Sequence, residues 1–582
     1  MHTYCSLDLL AYRRFLMEYM MLTAALLLGI AVILIKKVYD QKKTERWLLQ
    51  TFRTEFGKQN EKIPDREVFY GITGYFRHHQ VPEQIDAITC NDLELDKLFF
   101  KINTAKSSAG QEYLYYLLRT PSFSQEELAC REDRINFWIT QETLRTKMQM
   151  IFYKLGKTGK YSIFDYMEFL DSLKAEGNGQ HILCCILFGA AFLLLFLQPA
   201  LGIACLCGVA AYNISTYLKK KKEIVPYLIS FRYVLRSLET TRKILSVKEF
   251  AGHPFFAEKS GRLQTLLKQF EKFDRSSWLG MHVMGEGSNP LDLIWDYLNM
   301  LFHLDLMGFG VMLKQLRSHR TQIDEVISIL GETEALIAVA SYRMSLEEWC
   351  VPVLSEKEER GTVGLAAAHL YHPLLERPVK NSIDTKNGVL LTGSNASGKS
   401  TFLKAVAVNA IFAQTIHTCA ASVWDGCYFR ILSSMSLRDD LGGKESYYIV
   451  EIKALKRILD AAQNPGAPVL AFVDEVLRGT NTPERIAAST QILKSLKKKN
   501  AICFAATHDI ELTELLQNVY DNYHFQEQIE NGDIFFPYLL LEGKAKTRNA
   551  IRLLSVMGYE KEITEQADLM AAHFLESGKW QS

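Results

Sequence analysis

The chain has 582 residues, 48% of them apolar and 23% charged, and a formal net charge of +1. That length admits several domains, and so even a charge balance excludes a global field drawing the whole molecule to nucleic acid or an anionic surface; any such affinity has to be local. The 11 cysteines include no C-x-x-C pair, and Cys184, Cys185, Cys205 and Cys207 share one apolar stretch, so neither a zinc site nor a disulfide framework is supported and reduced, cytosolic thiols are expected.

Tyr19 to Ile35 (YMMLTAALLLGIAVILI) carries no charge and is flanked by Arg13, Arg14 and Glu18 before and by Lys36, Lys37, Lys42 and Lys43 after. It comes close to the ~20 residues that cross a bilayer, and IKKVYDQKK offers no small-residue cleavage site. Residues 1–37 therefore read as an uncleaved membrane anchor, and the positive charge behind it puts the following chain in the cytoplasm. Residues 38–85 read as a polar linker. Residues 86–180 form the first part of a helical core module, with apolar residues at helical spacing in LELDKLFFKINTAKSSAGQEYLYYLL and a Pro121-Ser-Phe-Ser124 turn before the next helix.

Residues 181–222 are apolar from Ile182 to Leu197, break at Gln198-Pro199, resume from Ala200 to about Leu218 and end in four lysines, Lys219 to Lys222. This predicts a transmembrane hairpin that returns to the cytoplasm; the short first limb leaves an interfacial or re-entrant hairpin open. Residues 223–355 continue the helical module, with long runs at Leu293–Phe302 and Gln322–Tyr342, where aromatic and Met residues at helical spacing are core. From 356 to 582 the pattern turns to strands alternating with helices, the signature of a mostly parallel sheet whose ligands gather at the C-terminal strand ends. The expected fold is thus an α/β domain at the C-terminus, behind an all-α module that a membrane hairpin interrupts.

Gly393-Ser-Asn-Ala-Ser-Gly-Lys-Ser400 fits G-x-x-x-x-G-K-[ST] and lies between an apolar strand pattern (Gly388 to Leu391) and an amphipathic helix pattern (Thr401 to Gln414). Gly393, Ser394, Asn395, Ala396, Ser397, Gly398, Lys399, Ser400 and Thr401 are the candidate ATP-binding residues. A glycine turn at a helix N-terminus aims N–H groups and a dipole at phosphates, Lys399 would reach the β and γ phosphates, and the Ser400 hydroxyl would ligate Mg²⁺. Val469 to Val473 reads as a buried strand delivering Asp474 to Mg²⁺ and Glu475 to the attacking water as general base. Phe504-Ala-Ala-Thr507-His508-Asp509 is a third strand running into a loop, where His508 would report the γ phosphate. Between them, Asp439-Asp-Leu-Gly-Gly-Lys-Glu-Ser446 puts Gly442, Gly443 and Ser446 just before a helix, a second anion site by construction.

The chain order of these motifs resembles ABC-type ATPases. In particular GSNASGKSTFLKAVAVNAIFAQ, DDLGGKESYYIVEI, LAFVDEVLRGTNTPER and ATHDIELTEL resemble the MutS mismatch-repair ATPases, with LDKLFFKINTAKSSAGQEYLYYLLRTP and YHPLLE resembling the start of their helical core and the lead-in to their ATPase domain. The resemblance, which runs from about Leu93 to Met557, looks closest to a divergent, membrane-anchored branch. It implies ATP and Mg²⁺ as ligands, catalytic roles for Lys399, Glu475 and His508, Ser446 offered in trans to a partner's nucleotide, a coupling loop at Thr480-Asn481-Thr482, a homodimer, and DNA gripped by the helical arms. Two departures stand beside it: Gly443-Lys444-Glu445 differs from the family's run before the signature Ser, and Arg377-Pro-Val-Lys-Asn381 offers no aromatic for the adenine ring. The family's mismatch-reading domain is replaced by the anchor and linker; Phe256-Ala-Glu258 reads as a chance match to its Phe-x-Glu, and Lys497-Lys498-Lys499 as a solvated helix end.

The expected protein is a membrane-anchored, dimeric MutS-like ATPase coupled to DNA, multi-pass in the plasma or inner membrane of a bacterium through three apolar segments, with its ATPase domain cytoplasmic. The alternative is a membrane-bound mechanical ATPase acting on a protein or lipid partner without DNA.

Overall fold

The computed structural model describes residues 2–169, 178–270, 290–356, 362–394, 396–435, 447–477, 479–530, 533–545, 551, 554–555, 557–578 and 580. It is a mixed α/β protein, helical in its N-terminal part and built on sheets in its C-terminal part.

Helix α1 (His2–Glu55) is continuous, since the stretch contains no Pro and a single Gly, Gly29. The side chains of Met20, Met21, Leu28, Val32 and Ile35 are exposed, whereas Leu48 and Phe52 in its last turns are buried. Phe52 packs on Tyr153, with ring centroids 6.0 Å apart. The stretch 38–85 corrects the expectation of a linker: besides the end of α1 it holds α2 (Arg66–Ile72) and α3 (Gly74–His78). Ile72 and Tyr75 enter the core, the Tyr75 hydroxyl meets Ser328 Oγ at 2.8 Å, and His79 Nε2 meets Asp324 Oδ2 at 3.0 Å. Its polar residues have partners far along the chain, which local composition cannot reveal.

The helical module comprises α4 (Ala87–Asp92), α5 (Leu95–Ile102), α6 (Ser108–Leu117), α7 (Gln125–Thr140), α8 (Glu142–Leu155) and α9 (Ile163–Phe169), completed after the hairpin by later helices. Helix α10 (Gly179–Leu197) stops at Gln198, whose backbone is extended, and Pro199 opens α11 (Pro199–Ser246), where its missing N–H costs nothing. By length and composition, α10 and the segment Pro199–Ile224 of α11 are the two helices, among the described residues, long and apolar enough to cross a membrane. Leu193, Phe196 and Leu197 are exposed. Helix α11 continues past the four lysines into the core, so hairpin and module share one rod; Phe231, Tyr233 and Val234 are buried there. At the foot of the hairpin, α12 (Pro290–Phe302) is held by the Asn213 amide donating to Leu301 O at 2.8 Å, and the Tyr217 hydroxyl donates to Asp305 Oδ2 at 2.8 Å. Phe256 is core, stacked on Phe250 with ring centroids 4.4 Å apart, while Glu258 is exposed.

The C-terminal part contains two main sheets and a two-stranded one among the described residues. The smaller main sheet has the order β1-β5-β2-β3, from β1 (Val353–Ser355), β2 (Leu365–Leu370), β3 (Asn381–Thr385) and β5 (Val423–Cys427). The larger has the order β12-β9-β4-β8-β7-β6, from β4 (Gly388–Thr392), β6 (Arg430–Ser434), β7 (Val469–Asp474), β8 (Ala501–Ala506), β9 (Tyr520–His524) and β12 (Leu541–Glu542), with β10 (Gln528–Glu530) and β11 (Asp533–Phe535) pairing separately. Strands β9, β4, β8, β7 and β6 run parallel, and β12 is antiparallel at one edge. Every residue of β4 and β8 is buried, as expected for central parallel strands covered on both faces. The opposite edge, β6, is covered by α4: Ser433 Oγ and Met435 N–H donate to the buried Asp92 carboxylate at 2.6 and 2.9 Å.

Module and sheets are joined by a buried ion pair. Arg343, the last residue of α13 (Arg320–Arg343), is fully buried and donates through Nη1 and Nη2 to the two Glu132 carboxylate oxygens, both at 2.7 Å. Its remaining donors reach Thr418 Oγ1 at 2.9 Å and His417 O at 2.9 Å, on the segment between the first helix of the sheet domain and β5. Burial would raise the Glu132 carboxyl, but hydrogen bonds from His417 and Arg343 and the guanidinium charge bring it down from 4.5 to about 2. A carboxylate so depressed adds stability that is present above about pH 4.5 and is lost as the pH falls through about 2. Removing one partner of a buried pair costs roughly 3–5 kcal/mol. Glu132→Gln is therefore expected to lower the thermal unfolding midpoint at pH 7 and to flatten the acid-side fall of that midpoint, both read by calorimetry; a variant as stable as the parent would remove the joint from the structure's essential contacts.

Candidate functional site

Strands β4, β8 and β7 are neighbours that end at one level. Leu391 pairs with Ala506, and Ala506 pairs with Asp474. The ladder is extended by Thr507 N–H donating to Leu391 O and Glu475 N–H donating to Ala506 O, each at 2.9 Å. The residues that follow the strands therefore meet at the carboxyl edge of the sheet.

After β4 the chain turns through Gly393 (φ 143°), Ala396 (φ 65°) and Gly398 (φ 108°) into α14 (Lys399–Thr415). A Cβ on Gly393 would stand 2.5 Å from Phe525 O, and one on Gly398 would stand 3.1 Å from Tyr538 Cδ1. Both positions thus need glycine, for dihedrals and for space. The turn leaves the first-turn N–H groups of α14 and the positive end of its dipole for an anion. Lys399 is nearly buried, its ammonium donating to Gly393 O at 2.7 Å and Ser394 O at 2.8 Å. Ser394 Oγ donates to Glu527 Oε2 at 2.8 Å. The Ser397 hydroxyl is buried without a hydrogen-bond partner among the described residues, as a group that takes a ligand would be.

Ser400 Oγ donates to Asp474 Oδ2 at 2.5 Å, and Glu475 Oε1 meets His508 Nε2 at 2.7 Å. Glu475 itself has a φ of 60°. All of these line one cavity of about 650 Å³, together with Thr401. A hydroxyl and a carboxylate oxygen set side by side are the hard donors that suit Mg²⁺, and the glycine turn, the lysine and the orphaned Ser397 hydroxyl suit phosphate oxygens. Asn395 of the expected loop and Gly442, Gly443 and Ser446 of the expected trans element lie outside the described residues.

The far wall of the cavity carries residues that the sequence reading passed over. Arg377, Val379 and Asn381 line it, as does the ring of Tyr538. Asn381 holds the Tyr538 segment in place: its Nδ2 donates to Tyr538 O at 3.0 Å and its Oδ1 accepts from Leu540 N–H at 2.7 Å. An aromatic ring thus stands beside Asn381 at the cavity, from a stretch (FFPYLL) whose run of aromatics was the available signal. His372 also lines the cavity; burial, then the nearby Lys404 charge, bring its imidazole down to about 4, so it is neutral near pH 7.

Residues 389–575 match the family model of MutS domain V. The C-terminal domain is thus of the MutS type, over about a third of the chain. It is similar to the DNA mismatch repair protein MutS of Thermus thermophilus (33% identity over 205 residues, 34% of this chain and 24% of that protein) and of Thermus aquaticus (34% over 206 residues, with the same coverage). It is also similar to the protein of that name from Thermotoga maritima, with 28% identity over 273 residues, 44% of this chain and 33% of that one. The chain thus spans between a quarter and a third of the length of these relatives.

Gly393→Ala is expected to be the more damaging of two glycine substitutions, because its Cβ would meet a backbone oxygen at 2.5 Å whereas that of Gly398 meets a side chain at 3.1 Å. Strain of this kind costs on the order of 1–3 kcal/mol. Thermal denaturation of the two variants checks the order; equal midpoints would contradict the loop geometry.

Proposed function

We propose that this MutS-family chain is a membrane-anchored ATPase, binding and hydrolysing ATP at composite sites of a homodimer and coupling that cycle to DNA. The observation that carries the reading is the meeting of Lys399, Ser400, Asp474, Glu475 and His508 around one cavity at the ends of three adjacent parallel strands. Gly393 to Thr401 form the phosphate-binding loop. Lys399, now satisfied by loop carbonyls, exchanges them for phosphate oxygens, and the Tyr538 ring offers a face to the base. Ser400 and Asp474 hold Mg²⁺, which when bound neutralises phosphate charge and orients the oxygens for in-line attack.

Glu475 is placed to accept the proton of the attacking water, and its pairing with His508 fixes the carboxylate until the γ phosphate competes for the imidazole. Release of that pair gives the cycle a switch sensitive to which nucleotide is bound. Gly442, Gly443 and Ser446 complete the partner's site, so a lone chain has half of each site. Helix α1 and the α10–α11 hairpin anchor the protein in the bilayer, multi-pass, with the sheet domain on the cytoplasmic side.

A second reading keeps the motor and replaces DNA by a protein or lipid partner at the membrane. It is favoured by the exposed apolar faces of α1 and α10, and by α11 running unbroken from the hairpin into the module. ATP turnover by full-length protein in detergent, with and without homoduplex, mismatched and branched DNA at two salt concentrations, separates the readings. A DNA response supports the first, intact turnover indifferent to DNA supports the second, and no turnover refutes both.

Lys399→Ala is expected to abolish ATP binding in equilibrium titration. Glu475→Gln is expected to retain binding, to lose turnover by roughly 10²-fold or more and to accumulate an ATP-bound dimer in size-exclusion chromatography; hydrolysis at the parent rate would remove Glu475 from the role of base.

A further inference from the structure

Beside the cavity, a carboxylate and a guanidinium form a bidentate pair that the mechanism above leaves unused. Arg485 Nε donates to Asp509 Oδ2 at 2.8 Å and Nη2 donates to Asp509 Oδ1 at 2.6 Å. Asp509 directly follows His508, and Arg485 sits in the first turn and a half of α15 (Thr482–Lys497), the helix that follows Glu475 and its loop. The pair therefore bridges the segment after β7 to the segment after β8, on the side away from the phosphate loop.

We propose that Arg485 and Asp509 are positioning residues, a clamp that keeps Glu475 and His508 in register and makes the loop between Glu475 and α15 move with His508. This rests on the ATPase reading given above.

The bridged loop needs holding. Glu475 and Leu477 both have φ near 60°, a left-handed conformation that side-chain-bearing residues keep only when their surroundings impose it. Three kinds of contact impose it here. Glu475 N–H donates to Ala506 O, the buried Glu451 carboxylate accepts from Leu477 N–H, and the Arg485–Asp509 fork closes the far end. On the other strand, Asp509 N–H donates to Thr507 Oγ1 at 3.0 Å, so the carboxylate stands at a fixed offset from His508. Glu475, its loop, Arg485, Asp509 and His508 thus form a closed ring, completed by the 2.7 Å contact between Glu475 and His508.

A planar, two-bond fork fixes orientation as well as distance, which a single ammonium contact does not. The loop inside the ring contains Thr480, Asn481 and Thr482, the residues expected to meet a partner subunit. Displacement of that loop on dimer closure is delivered through Arg485 to Asp509 and so to His508. Both side chains are mostly buried (25% and 13% exposed), so thermal midpoints are read beside the kinetics to separate lost stability from lost positioning. A misplacement of about 1 Å at a reacting group costs on the order of 10²-fold in rate.

The test measures kcat and KM for ATP in full-length Arg485→Ala, Asp509→Ala and the double variant, beside the parent protein and with thermal midpoints recorded. The expected result is a kcat lower by about tenfold or more in each single variant, KM within about twofold, and a double variant no worse than the weaker single, because the two act as one unit. Arg485→Lys, which keeps the charge and loses the fork, is expected to lose kcat as well, and it serves in place of Arg485→Ala if that variant does not fold. Unchanged kcat in the single variants, a change confined to KM, or losses that multiply in the double variant would each overturn the clamp while leaving the ATPase reading in place. A parent protein without turnover would overturn that reading and the clamp with it.

Discussion

The register of β4, β8 and β7 is the constraint on which the rest of the sheet domain depends. Parallel pairing of Leu391 with Ala506 and of Ala506 with Asp474 stops three strands at one level, so that a glycine turn, a carboxylate pair and a histidine loop all begin at the same edge, with about 5 Å between neighbouring strands. A slip of one residue would turn each strand over, sending its buried side chains to the opposite face and the functional ones away from the cavity. Full burial of β4 and β8 is what forbids the slip: each face of these strands is packed, so no alternative register buries the same apolar surface.

Around that edge the protein's polar groups fasten one another. Lys399 is satisfied by two loop carbonyls, Ser400 by Asp474, and Glu475 by His508. The Arg343–Glu132 joint differs in kind. It is buried, all its donors are matched, and it ties the helical module to the segment beyond the helix that starts at Lys399. The joint connects α7 and α13 to that segment, and α11 runs from the module to the hairpin as one helix.

The apolar surface is distributed in the same logic. Met20, Met21, Leu28, Val32 and Ile35 of α1 and Ile186, Leu193 and Phe196 of α10 are exposed, while the later turns of α11 bury their apolar side chains in the module. Helix α11 is a single rod, apolar in its first turns and packed into the core in its later ones. The polar contacts of Asn213, Tyr217 and Asp305 mark where the change occurs.

By itself the sequence determined the local elements and their chemistry. Continuous apolar runs such as GVLLT, VLAFVD and AICFAA can be little else than buried parallel strands, and each is followed directly by the residues that need to sit at a strand end. The glycine turn was legible because its dihedrals admit few other residues, and the hairpin because a Gln-Pro break interrupts two apolar limbs. Only the tertiary structure decided what depends on partners distant in the chain. It showed that 38–85 ends one helix and packs two more, since the partners of Tyr75 and His79 lie on the helix that ends in Arg343. It brought Tyr538 to the wall facing Gly398, fastened by Asn381. It joined Arg485 to Asp509 and Arg343 to Glu132. Periodicity and motif spacing record how a residue stands toward its near neighbours in the chain; which charge meets which across a sheet or between domains is set by packing, and no local pattern encodes it.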